Sequence, residues 1–273
     1  MVLYRYFRLT SPYLVVIGLI AVTMPWYYDH TMLDLYSMDY QTCRKFWWRN
    51  ILYINTYFTM EERCMVWSWY LANDTIFYII GTIILIISQR FLSAAGFMTI
   101  FILIVSWITT AVITLRTQHV PSIEDPFANY ENLYDKPWSR IGPYLLRMVA
   151  GWYLYKTRCS LKIPKTVAFL CWIVSFFVML SIVYGLYGTK YGPFMSAAYM
   201  VFSHSGWAVA VGWVLIACTT GHGGIVNKIL SWKYLYPLSR LSYCVYLVHP
   251  AIIRAVALKG ESSMHLTLGL MVP

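Results

Sequence analysis

The feature that most constrains this chain is a series of long apolar runs set between short connections that carry Lys and Arg. The first run, LTSPYLVVIGLIAVTMPWYY (9–28), has the length and character of a bilayer span. About 20 such residues cross the hydrocarbon core as a helix. Lipid offers the backbone no hydrogen-bond partner, so each segment must satisfy its own amide groups. The rest of the sequence agrees. Hydrophobic residues make up 59% and charged residues 12%, against roughly 25% charged in soluble domains. The 12 Trp and 24 Tyr suit a protein with extensive membrane–water interfaces.

The expected fold is therefore all-α, a polytopic membrane helix bundle with about seven spans in one domain, residues 1–273. The spans are read as Leu9–Tyr28, Trp69–Ser88, Leu92–Leu115, Ile141–Tyr155, Thr166–Tyr187, Phe194–Thr219 and Leu238–Leu258. The fourth is short and carries Arg147. The seventh is the least apolar, holding Arg240, His249, Pro250 and Arg254. The start is not a cleaved secretory signal, because no small-residue cleavage site follows the first run.

The net charge of +10 reads as topology rather than nucleic-acid binding, since the basic residues are scattered through short connections and no nucleic-acid motif is present. Arg5, Arg8, Arg90, the cluster Lys156–Lys165 and the group Lys228, Lys233 and Arg240 fall on one side. That side is expected to be cytosolic, with the amino terminus on it and 29–68 as a long extracytosolic loop. Cys43 and Cys64 both fall in that loop, where oxidation is allowed, and are expected to pair. Cys171, Cys218 and Cys244 lie in spans and Cys159 on the cytosolic side, as packed or free thiols. The sequon at Asn73 sits at a membrane edge, a poor place for a glycan.

Ionisable groups at membrane depth are costly and usually face a polar cavity. Asp74 is one. It reads either as a substrate or proton contact or as the partner of an arginine on a neighbouring helix. Arg147 reads as a snorkelling side chain. His204 and His249 are each either a hydrogen-bonded structural imidazole or a catalytic one, and Asp74 and His249 are the catalytic candidates. There is no HExxH, no Cys/His metal cluster and no GxSxG elbow, so no metal is expected. TGHGGIVN lacks the Lys-Ser/Thr ending of a phosphate loop and reads as a flexible turn. Arg5 and Arg8 share one helix face at i, i+3. On spacing alone they read first as a positive-inside anchor, and second as a fork for phosphate at the mouth of a span.

Five stretches add a resemblance: RYFRLTSPY (5–13), CRKFWWRNILYIN (43–55), CMVWSWYLANDTIFY (64–78), YDKPWSRIGPYLL (134–146) and TTGHGGIVNKILSWKYLYPLSRLSYCVYLVHP (219–250). Together they resemble the nose-resistant-to-fluoxetine group of animal proteins, within the membrane acyltransferase 3 family. The resemblance implies transfer of an acyl group from a cytosolic donor, commonly acyl-CoA, to a hydroxyl acceptor, with no bound cofactor. It implies that Arg5 and Arg8 match an Arg-x-x-Arg pair linked to donor handling. The family's catalytic histidine lies in a helix ahead of that pair, so the expectation is a partial domain, inactive alone, with a further helix beyond HLTLGLMVP. Relatives often carry a small residue where Arg147 stands and an Arg where His204 stands. Arg147 is therefore expected to loosen small-residue packing around Gly151.

The second functional reading is a lipid or hydrophobic small-molecule uptake component. Few features of a broken-helix transporter are present, which favours the enzyme. Expected partners are membrane lipids, the acyl donor and an acceptor. The expected location is the plasma membrane or an endomembrane.

Overall fold

The computed structural model describes residues 2–31, 39–122, 129–187 and 191–259. Among the described residues it is all-helical, with no strand. The long helices are α1 (Val2–Asp29), α3 (Trp69–Ser88), α4 (Leu92–Arg116), α5 (Pro137–Lys156), α6 (Lys165–Tyr184), α7 (Pro193–Thr219) and α9 (Leu235–Leu258). Two shorter ones are α2 (Asp39–Ile51) and α8 (Gly224–Leu230). Among the described residues, six helices are long and apolar enough to cross a membrane. The fourth expected span, Ile141–Tyr155 within α5, is not among them. Arg140, Arg147 and Lys156, with Gly142, Pro143 and Gly151, dilute its apolar character, yet it packs extensively on α4 and α7.

The chain divides into two compact units, 1–72 with 236–273, and 73–235. In the first, α1 carries two prolines, Pro12 and Pro25, within its helix. Proline has no N–H to donate, so each breaks one rung of the helical ladder. One face of α1, including Tyr13, Ile17, Ile20 and Met24, is buried. It joins a core with Cys43, Tyr53, Cys64, Met65, Leu247 and Ala251. The opposite face, with Val15, Leu19 and Val22, is exposed, as a lipid-facing helix surface should be. The described part of 29–68 is not an open loop. It forms α2 and three short 3₁₀ turns, and α2 lies along α1.

In the second unit, α7 packs on α4, α5 and α6. Its buried positions are almost all small: Ser196, Ala197, Ser203, Ser205, Ala208, Ala210, Gly212 and Ala217. Small residues let helix backbones approach in a membrane, where lipid tails compete for larger side chains. Gly142 of α5 is the clearest case. A Cβ there would lie 3.3 Å from Ser205 Oγ and 3.4 Å from Leu103 Cδ1. Gly151, by contrast, has open space around it. The tight contact of α5 therefore sits at Gly142, and Arg147 faces outward, its Nε donating to the Pro143 carbonyl at 3.2 Å. Pro137 and Pro193 stand in the first turns of α5 and α7, where a missing N–H costs nothing. The glycine-rich turn at 221–224 is pinned rather than loose. His222 Nε2 donates to the Ile163 carbonyl at 3.1 Å, and Trp172 Nε1 donates to the His222 carbonyl at 3.3 Å. Gly221, at φ +83°, supplies the left-handed step that this turn requires.

Candidate functional site

In the first unit, Arg5 and Arg8 stand in the opening turns of α1, Arg5 partly buried and Arg8 exposed. Between them Tyr6 Oη donates to the Ile51 carbonyl at 3.3 Å. The segment after α1 therefore returns along it to the level of the arginine pair. One to two turns further along, a buried polar cluster fills the interface. Asn50 Nδ2 donates to Tyr13 Oη at 2.6 Å and to the Cys64 carbonyl at 2.7 Å. Asn55 Nδ2 donates to Ser68 Oγ at 2.9 Å, and Ser68 Oγ donates to the Met65 carbonyl at 2.7 Å. Thr10 Oγ1 and Tyr53 Oη are 3.1 Å apart. Asn50 Oδ1 and Asn55 Oδ1 are buried with no donor among the described residues.

The cluster is held by covalent and ionic ties. Cys43 and Cys64 form a disulfide. Arg49 Nη1 meets Glu62 Oε2 at 2.8 Å, and its guanidinium lies 3.7 Å from the Phe58 ring centroid. Arg63 is 1% exposed, an unusual state for a cation. Its Nε donates to the Phe58 carbonyl at 2.7 Å and its Nη2 to the Thr56 carbonyl at 3.3 Å, so it acts as a strut for a chain that has left helical geometry. In α9, Tyr243 Oη donates to the Leu9 carbonyl at 2.7 Å. His249 is exposed and bonds back along its own helix, Nδ1 to the Val245 carbonyl at 3.0 Å. It is not drawn into the buried cluster.

The second unit carries its own polar site. A π-helical turn, Tyr130–Tyr134, leads into Asp135, which is fully buried. Asn73 Nδ2 donates to the Asp135 carbonyl at 2.8 Å. Arg140 Nε donates to the Tyr134 carbonyl at 3.0 Å, and its guanidinium lies 4.8 Å from that ring. Asp135, Tyr130 and Tyr134 act electrostatically on Arg140, and Arg140 on His204. His204 Nδ1 is 3.1 Å from Ser203 Oγ. Beside them Trp107 Nε1 donates to Ser205 Oγ at 3.0 Å, and Ser106 Oγ donates to the Trp138 carbonyl. Asp74 follows Asn73 and is partly buried.

The singled-out residues thus fall into two groups. Arg5, Arg8, Cys43, Cys64 and His249 belong to the first unit, and Asp74 and His204 to the second. Asn50, Asn55, Arg63, Asp135 and Arg140 escaped the reading by charge and hydropathy. They lie outside the apolar runs or at their edges, where a polar residue draws no notice. For the two asparagines, Asp135 and Arg140 the signal was the polar side chains inside NILYIN and DKPWSR; Arg63, in MEERC, carried none. Among the described residues, no group of His, Cys, Asp and Glu is arranged to hold a metal ion.

A bundle of this kind, with six helices among its described residues long and apolar enough to cross a bilayer, is that of a multi-pass integral membrane protein. More specifically, the chain belongs to the acyltransferase 3 family: the family model described as "Acyltransferase domain" matches residues 1–271. It is 30% identical over 288 aligned positions to the Caenorhabditis elegans protein "Nose resistant to fluoxetine protein 6". That alignment covers 96% of this chain and 34% of the relative, so the chain spans about a third of the relative's length. No solved structure matches the chain.

Proposed function

We propose that the chain forms part of a membrane acyltransferase that moves an acyl group from a cytosolic acyl-CoA to a hydroxyl acceptor. The observation that carries this reading is the family match over residues 1–271. Arg5 and Arg8 supply its electrostatic half. One turn apart, they offer two planar guanidiniums to the phosphates of the coenzyme, the geometry in which arginine outperforms lysine. The acceptor oxygen attacks the thioester carbonyl carbon, a base takes the hydroxyl proton, and the coenzyme leaves as its thiolate. Asp74, partly buried at the start of α3, is suited to orient the acceptor hydroxyl.

The test is transfer of radiolabel from acyl-CoA by membranes carrying the full-length protein, against Arg5→Ala and Arg8→Ala in that protein. Each substitution is expected to raise the KM for acyl-CoA by about tenfold or more, the effect of one charge-assisted phosphate contact. Labelling that is unchanged in both variants removes the donor fork. Uptake of a fluorescent lipid without any transfer of label favours the transport reading instead.

A further inference from the structure

We propose that a groove on the second unit binds one acyl chain of an anionic phospholipid, whose net negative headgroup is held by Arg90 and Lys156. The groove has a volume of about 220 Å³. It is walled by the end of α3 (Ile84, Leu85), the start of α4 (Gly96, Ile100) and the end of α5 (Val149, Trp152). Ligand pockets commonly run from about 300 Å³ upward, so this one takes a chain segment rather than a whole molecule.

Its lining is apolar by construction. The two hydroxyls that border it are turned into their own helices, Ser88 Oγ donating to the Leu85 carbonyl at 2.7 Å and Thr99 Oγ1 to the Ala95 carbonyl at 2.8 Å. What remains facing the groove is carbon. Gly96 widens it, since a Cβ at that position would meet nothing within 4 Å.

Charge at the rim distinguishes this groove from an ordinary lipid-facing surface. Lys156 Nζ lies 5.1 Å from the Trp152 ring centroid, one turn beyond the groove wall. Arg90 stands exposed in the turn between Ser88 and Leu92, both of which line the groove. Further along the α5–α6 connection come Arg158, Lys162 and Lys165, and neither 84–100 nor 148–165 contains an acidic residue. Trp at the mouth of an apolar slot, with cations just outside it, fits the layering of a phospholipid from carbonyl region to phosphate. A positive rim of this kind favours acidic headgroups, which the cytosolic leaflet supplies.

The experiment uses the protein in phosphatidylcholine nanodiscs with trace phosphatidylserine or phosphatidylcholine, each bearing a diazirine on one acyl chain. Cross-linked peptides are mapped by mass spectrometry. Phosphatidylserine is expected to label 84–100 and 148–152 about thirtyfold more than phosphatidylcholine, the preference that two surface cations confer. Gly96→Phe is expected to remove most of that labelling. Arg90→Gln combined with Lys156→Gln is expected to bring phosphatidylserine down to the phosphatidylcholine level while leaving the latter unchanged. Equal labelling by the two lipids overturns the proposal, as does labelling indifferent to both variants. Displacement by palmitoyl-CoA but not by unlabelled phosphatidylserine overturns it in favour of the acyl donor.

Discussion

Asn50 provides a direct measure of how the first unit is held. It is 1% exposed, and its amide makes two short hydrogen bonds, to Tyr13 Oη and the Cys64 carbonyl. Asn50→Leu keeps the volume close but removes both donors. Tyr13 and the Cys64 carbonyl are then left in an apolar setting. An unmade buried bond costs about 1–3 kcal/mol, so two partly relaxed losses should total about 3 kcal/mol. For a chain of this size each kcal/mol moves Tm by about 2–4 °C, giving a fall of roughly 6–12 °C. Tyr13→Phe removes one partner only and leaves Asn50 its bond to the Cys64 carbonyl and a longer one, 3.3 Å, to Ser68 Oγ, so its cost should be about 1 kcal/mol. The assay is size-exclusion of detergent-solubilised protein after graded heating, with the double variant included. Direct contact predicts that the double variant is less destabilised than the sum of the singles, by about 0.5 kcal/mol or more. An Asn50→Leu variant melting within about 1 °C of the parent, or strict additivity with Tyr13→Phe, would refute the view that this bond organises the unit.

Two other perturbations test the architecture. Reducing the Cys43–Cys64 bond, which closes a separation of 21 residues, should cost about 3 kcal/mol by the loop-entropy relation; a melting curve identical with and without dithiothreitol would contradict it. Gly142→Leu should lower stability by about 1–3 kcal/mol through overpacking against Ser205 and Leu103, whereas Gly151→Leu should stay within about 0.5 kcal/mol; equal melting shifts for the two would show that α5 does not meet its neighbours as described.

The helices were legible in the sequence because lipid makes the rule simple: a long apolar run must be helical. The run that became α5 shows where that rule thins out. It meets α4 and α7 through Gly142 on one face, while Arg147 on the exposed face and Arg140 near its start keep its mean hydropathy too low to mark a span. The site was less legible for a related reason. Asp74, His204 and Arg147 stand out because they interrupt apolar runs. Arg63 and Asn50 do not, lying in a stretch that looks like a polar loop, and only folding shows them to be buried. The structure also separates two histidines that sequence treated alike. His204 lies near a guanidinium, while His249 bonds to its own helix.

The geometry of the first unit places a condition on any use of Arg5 and Arg8 at the cytosolic face. Tyr6, between them, touches Ile51, the last residue of the helix that carries Cys43. A disulfide forms in an oxidising compartment. A coenzyme fork needs the cytosol. Cys43 lies eight residues before Ile51 on the same helix, only about 12 Å along it, so both hold together only if water from the oxidising compartment reaches down beside α1 through much of the roughly 30 Å membrane core. Arg44 and Lys45 are exposed on α2, and each would cost about 2.5–3.5 kcal/mol against hydrocarbon. Their exposed face must then meet water rather than lipid. A cytosolic fork therefore implies a hydrated vestibule along α2, with α1 exposing Val15, Leu19 and Val22 to lipid on its other side. Such a vestibule would bring water and polar acceptors from the opposite compartment to within reach of the donor end.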